Sequence, residues 1–130
     1  MNLLQALSAL PELTAPLGGV YDSVPLSPPR GPYAVVSDIS DVVTRQGFDH
    51  QDRQSTVLVT IYGAEQGTLG SLRPLWRSVR ELGSAITSHP GLPPIGGCLL
   101  GPVLPPTFDP VTKRPYAGVR FLITYRSVTT

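Results

Sequence analysis

Apolar positions along the chain switch between two periods, and the switches predict its elements. Leu3, Leu4, Leu7 and Leu10 recur at steps of three and four, the spacing of one helical face. Asn2 can cap the first turn of that short helix, and Pro11 ends it. Gly18-Gly19 then turns the chain into Val20-Tyr21, and the segment VPLSPPRGP follows, with four prolines in nine residues. Proline donates no backbone hydrogen bond and fixes φ, so this segment reads as an extended arm on the surface. Residues Tyr33 to Thr44 (YAVVSDISDVVT) and Gln54 to Tyr62 (QSTVLVTIY) are β-branched and alternating, which predicts two strands of a hairpin around a Gly47 to Asp52 turn. In the second strand Val57, Val59 and Ile61 share one face. Thr56, Leu58, Thr60 and Tyr62 share the other, because side chains alternate.

The period then changes back. Leu72, Leu75, Trp76, Val79, Leu82 and Ile86 recur at helical spacing between Gly67-Thr68 and His89-Pro90-Gly91, forming the stripe of a long amphipathic helix. Arg73, Arg77 and Arg80 fall on its opposite side, with Glu81 four residues beyond Arg77 as a possible partner. Pro74 fits if the helix starts near Ser71 or kinks there. Ile95 to Leu104 (IGGCLLGPVL) reads as a bent or edge strand, and PPTFDPVTKRP as a proline-rich loop. In the closing strand, Ala117, Val119, Phe121, Ile123 and Tyr125 point one way; Tyr116, Arg120, Leu122, Thr124 and Arg126 point the other. The expectation is an α+β fold: a mostly antiparallel sheet of four to five strands, one long amphipathic helix on one face, and a short N-terminal helix.

Composition narrows the class. A chain of 130 residues suits one domain, residues 1–130, and is too short for two ordinary ones. Fifteen prolines and thirteen glycines accompany 41% hydrophobic residues, which favours a folded domain with rigid loops over disorder. The formal charge of +1 lacks the bulk attraction of a dedicated nucleic-acid binder. No stretch is apolar for the roughly 20 residues of a membrane span, so the chain reads as soluble and cytoplasmic. One cysteine, Cys98, excludes an intrachain disulfide and a thiolate metal cage; it reads as a small apolar packing residue. Nine of the ten basic residues are arginine. Arginine is enriched at protein interfaces, although GC-rich coding produces the same skew.

Candidate chemistry is sparse. Asp49, His50 and Asp52 crowd the hairpin turn, but a metal or catalytic site needs ligands converging from several elements, and the one other histidine, His89, lies in an SHPG helix end. Asp and Gly are ordinary turn formers, so the cluster reads as the polar tip of a protruding acidic loop. No Gly-x-Ser-x-Gly elbow occurs, and the glycine runs lack the phosphate-loop lysine and the dinucleotide spacing. No catalytic residue, cofactor or metal is expected. The arginine row Arg73, Arg77 and Arg80 reads as a solvated or protein-contacting face rather than a DNA contact. One feature is left over: Leu58, Tyr62, Tyr116 and Leu122, interleaved with Arg120 and Arg126, lie on the strand face that one helix cannot cover. That face is solvated, covered by the short helix and proline arms, or buried against another subunit, and aromatic plus arginine content favours the last.

These segments, taken in order, resemble one family. A short leucine helix, GGVYDSVP leading into PYAVVSDIS, the hairpin into STVLVTIYG, the helix LRPLWRSVRELGSAI and the closing RPYAGVRFLITYR are similar to the tail-completion, or tail-terminator, proteins of long-tailed bacteriophages. The crowded prolines at 25–32 and 102–115 depart from that pattern. The resemblance implies a structural subunit, not an enzyme, that forms a homo-hexameric ring in the neck region of the virion after assembly in the host cytoplasm. Such a ring caps the head-proximal end of the tail tube, stops its polymerisation, joins it to a head-completion or stopper protein, and lets DNA pass through its lumen. Ring closure needs two unlike sticky patches per subunit. The candidates are the strand face with Tyr116, Arg120, Leu122 and Arg126, and the helix side with Arg73, Arg77 and Arg80. The loop with Asp49, His50, Asp52 and Arg53 is the candidate for tube contact or lumen lining. The alternatives are a head-side connector or stopper, a tube-like subunit, or a small enzyme using Asp49, His50 and Asp52.

Overall fold

The alternation in the central strand is realised literally. In a computed structural model that describes residues 3–13, 18–85 and 95–128, Val57, Val59 and Ile61 are fully buried while Leu58, Thr60 and Tyr62 are half-buried. The expected cap Asn2, the stripe residue Ile86 and His89 lie outside the described residues. The N-terminal leucines form α1 (Leu3–Ser8), which buries Leu3 and Leu7. The strands are β1 (Gly19–Tyr21), β2 (Tyr33–Gln46), β3 (His50–Tyr62), β4 (Ile95–Asp109) and β5 (Arg114–Val128), and α2 (Leu69–Arg80) lies between β3 and β4. They form one sheet in the order β1-β2-β3-β5-β4, with β1 parallel to β2 and every other pair antiparallel. The class is α+β, as expected.

Thr68 starts α2 with a capping box: its hydroxyl accepts from the Ser71 N–H, and the Ser71 hydroxyl accepts from the Thr68 N–H. Two orphan donors of the first turn are thereby satisfied. Leu72, Leu75 and Val79 are buried against the sheet, with Trp76 and Leu82 packed beside them. The helix is shorter than its stripe suggested, because after Arg80 the chain tightens into a 3₁₀ turn, Glu81–Ala85. Pro74 sits in the second turn and not the first, so the bond its missing N–H would give to the Gly70 carbonyl is forgone inside the helix. The core lies between this helix, α1 and the face of the sheet carrying Ala34, Val57, Val59, Ile61, Ala117, Val119, Phe121 and Ile123. Cys98 packs at its margin, and burial raises the thiol pKa, as befits an apolar filler.

Two boundaries differ from expectation. Residues 105–109, read as loop, continue β4, which keeps its pairing with β5 across three irregularities, between Ile95 and Gly97, between Leu100 and Val103 and between Leu104 and Thr107; at the last two it skips residues. The prolines Pro102, Pro105 and Pro106 fall in those skipped positions, where no ladder donor is required. The β2–β3 turn is also much tighter than Gly47 to Asp52. Gln46 pairs with Gln51, the Gly47 N–H donates to the His50 carbonyl at 2.8 Å, and only Phe48 and Asp49 span the reversal.

Candidate assembly surfaces

The sheet face turned away from the core is divided by its own residues into a covered end and an open end. At the covered end Tyr33, Tyr62 and Tyr116 sit in register across β2, β3 and β5. Their rings stack, 4.8 Å apart for Tyr33 and Tyr62 and 6.3 Å for Tyr62 and Tyr116, with Tyr21 edge-on to Tyr33. Burial raises the pKa of Tyr33 and Tyr62. Arg114 closes this end: it is 7% exposed, its guanidinium lies 5.5 Å over the Tyr33 ring, and it donates to the Pro29 carbonyl at 2.7 Å and the Gly63 carbonyl at 3.4 Å. The proline arm is thus pinned over the tyrosines. At this end the arm covers the face, one of the alternatives the sequence left open.

The open end is an apolar groove of about 390 Å³ lined by Leu58, Thr60, Leu104, Tyr116, Gly118 and Arg120, with Pro102 and Val103 beside them. Gly118 makes its floor, because a Cβ there would stand 3.3 Å from Leu104 Cβ and 3.6 Å from Leu58 Cδ1. Arg120 is exposed at its rim, and Leu99 and Leu122 pair beyond it, Leu99 being 64% exposed. Of the expected strand patch, Tyr116, Arg120 and Leu122 therefore share one surface. Arg126 lies further along, tied at 2.8 Å to Asp52.

Asp49, His50, Asp52 and Arg53 do not form a loop. His50, Asp52 and Arg53 are in β3, paired on one side with β2 and on the other with β5. Strand alternation sends His50 and Asp52 to one face and Arg53 to the opposite one. His50 bonds Asp49 at 2.8 Å, which holds the Asp49 carboxyl below its ordinary pKa; Arg126 does the same for Asp52. Arg53 donates to Asp41 at 3.1 Å, and the Tyr125 hydroxyl donates to the other oxygen of that carboxylate. Burial, then this hydrogen bond, raises the Tyr125 pKa. Asp52 and Arg53 are spent on cross-strand pairs that stiffen the ribbon, Asp49 and His50 on each other at its tip, and among the described residues no three His, Cys, Asp or Glu side chains gather as a metal site.

The arginine row on α2 also divides. Arg73 and Arg77 are exposed, but Arg80 folds back over Trp76 at 4.7 Å, and its Nε is buried with no hydrogen-bond partner among the described residues. The sequence reading passed over Arg114, Asp41 and Phe48. Phe48 had a visible signal, a large apolar residue at a turn tip, where it is fully exposed. Arg114 and Asp41 act through partners 85 and 84 positions away, which no local pattern reveals.

These features are those of surfaces: a pinned tyrosine end, an open groove and an exposed arginine side of α2. No protein-family model matches the chain, and no curated protein does. A solved structure does: a chain in "Virion of native gene transfer agent (GTA) particle" superposes with a TM-score of 0.61 at 16% identity, covering 97% of this chain and 92% of that one. The likeness is one of fold. Among the described residues no helix is long and apolar enough to cross a membrane.

Proposed function

We propose that this chain is a structural subunit of a phage-like virion that closes into a ring, a hexamer, at the head-proximal end of the tail tube. There it ends tube polymerisation, receives the head-completion protein and leaves a lumen for DNA. The observation that carries the reading is the open groove beside Arg120. A monomer has no use for an apolar hollow on the second face of a sheet whose first face already holds the core, whereas a head-to-tail ring needs one such surface per subunit. End-to-end likeness in fold to a chain of a gene transfer agent virion supports the virion setting. The exposed Arg73 and Arg77 side of α2 is then free for the tube or the head-completion protein.

Native mass spectrometry of the purified chain, together with imaging of particles that contain it, tests the reading. A closed ring present once per particle, at the tube end next to the head, is the expected result. Many stacked rings would make it a tube subunit, and a ring on the head side of the joint a stopper. A strict monomer absent from tails would sink the proposal.

A further inference from the structure

Resting on the ring reading, we propose that the β2–β3 hairpin tip of one subunit seats in the groove of the next, with Phe48 in the hollow between Leu58, Leu104 and Tyr116 and Asp49 against Arg120. The tip is built for insertion. Its two turn residues are a fully exposed phenylalanine and an aspartate whose side chain is 80% exposed, carried at the end of a ribbon that β5 reinforces as far as the His50–Val128 pair. A solvated aromatic ring at a turn tip has no folding role and favours removal from water. The groove matches it in chemistry: aliphatic walls, one aromatic wall, a glycine floor and an exposed guanidinium at the rim. Its volume of about 390 Å³ lies in the range of about 300–1,000 Å³ that accepts compact ligands.

The occupant must belong to a second copy. Phe48 and the groove residues Leu58 and Thr60 are ten to twelve positions apart on one continuous strand and its turn, roughly 33–40 Å at the rise of a β-strand. A chain cannot fold its own tip into its own groove without breaking β3. Tip and groove are unlike surfaces, so their pairing is head-to-tail, the geometry that closes rings. This assigns Asp49 to a neighbouring subunit and not to the lumen.

The test is sedimentation velocity of the full chain across a concentration series, for the natural protein and for Phe48→Ala, Asp49→Arg, Arg120→Asp and the Asp49→Arg/Arg120→Asp double variant. Far-UV circular dichroism spectra serve as the folding control, since Phe48, Asp49 and Arg120 are exposed in the single subunit and their replacement should leave its secondary structure intact. Loss of a buried phenylalanine should weaken each subunit contact roughly 10- to 100-fold. Each charge reversal should weaken association, and the double reversal should restore it. A natural ring indifferent to Phe48→Ala overturns the seat and leaves the ring reading standing. Weakening by Phe48→Ala without recovery in the double reversal puts the tip elsewhere and overturns the groove assignment. A natural chain that stays monomeric at every concentration removes the ring reading itself.

Discussion

Replacing Arg114 with alanine should loosen the proline arm, and the structure gives the size of the effect. The side chain donates to two backbone carbonyls, Pro29 at 2.7 Å and Gly63 at 3.4 Å, and covers the Tyr33 ring. A hydrogen bond from a charged donor contributes about 1.5–3 kcal/mol, the longer contact less, and the cation–π contact about 0.5–1 kcal/mol. Against these stands the cost of keeping a guanidinium buried, which alanine removes. The net loss should be about 2 kcal/mol. For a domain of this size that corresponds to a fall in Tm of about 8 °C. A local readout separates the arm from the rest: the Glu65 N–H holds the Arg30 carbonyl at 2.9 Å, so trypsin should cut slowly after the exposed Arg30 in the natural chain and much faster in the variant. Arg114→Lys keeps the charge but loses the fork and should fall between. If Arg114→Ala leaves both Tm and the Arg30 cleavage rate unchanged, the arm is held by its prolines and apolar contacts, and the role given to Arg114 is wrong.

Gly18→Ala should cost about 1–3 kcal/mol or more, because the new Cβ would stand 2.2 Å from the Pro32 carbonyl oxygen and 2.9 Å from that of Glu12; an unchanged urea midpoint would contradict that close approach. Phe121→Ala, at a fully buried position, should cost about 3–5 kcal/mol, whereas Phe108→Ala, at a half-exposed one, should stay within about 0.5 kcal/mol; similar midpoints for the two would deny the helix-covered core. The raised pKa values of Tyr33, Tyr62 and Tyr125, each due first to burial, set the sign of the alkaline response. The folded chain keeps those protons longer than the unfolded chain, so their stabilisation is intact below about pH 10 and lost as pH rises through the folded values. Absorbance at the phenolate band and Tm, followed together from about pH 9 to about pH 12, should show ionisation coinciding with unfolding.

What the sequence made legible is what depends on local period. The alternation of Val57, Val59 and Ile61 specified a face, and the Leu72, Leu75, Val79 stripe specified the helix that covers it, because burial on a regular element leaves a regular trace. The strand ends were hidden for two reasons. Residues 105–109 carry prolines that argue against a strand unless they fall in bulges, and bulges depend on the partner strand, which is not local. His50, Asp52 and Arg53 look like a polar turn because this part of β3 is half-buried and carries polar side chains paired to Asp49, Arg126 and Asp41, so polarity there reports those pairs and not a loop. Strand alternation put Tyr116, Arg120, Leu122 and Arg126 on one face of β5, but the division of that face into a pinned end and an open groove turns on Arg114 reaching across to Pro29.

The composition acquires a physical meaning once the sheet order is known. β4 is an edge strand, and a long edge of free N–H and C=O groups invites uncontrolled pairing. Pro102, Pro105 and Pro106, set in two of its irregularities, blunt that edge, since prolines donate nothing and bulges twist the strand out of line. The opposite edge is treated differently: β1 pairs only Tyr33, Ala34 and Val35 of β2, leaving the outer side of the remaining β2 residues without a strand among the described residues. A sheet with both edges open would extend indefinitely, and one with both edges blunted would depend wholly on side-chain contacts. With one edge blunted and the other bordered by a projecting hairpin, association acquires a direction. On the ring reading proposed above, a subunit that joins its neighbours and then stops would use that asymmetry, the prolines supplying one half of it and the stiffened β2–β3 ribbon the other.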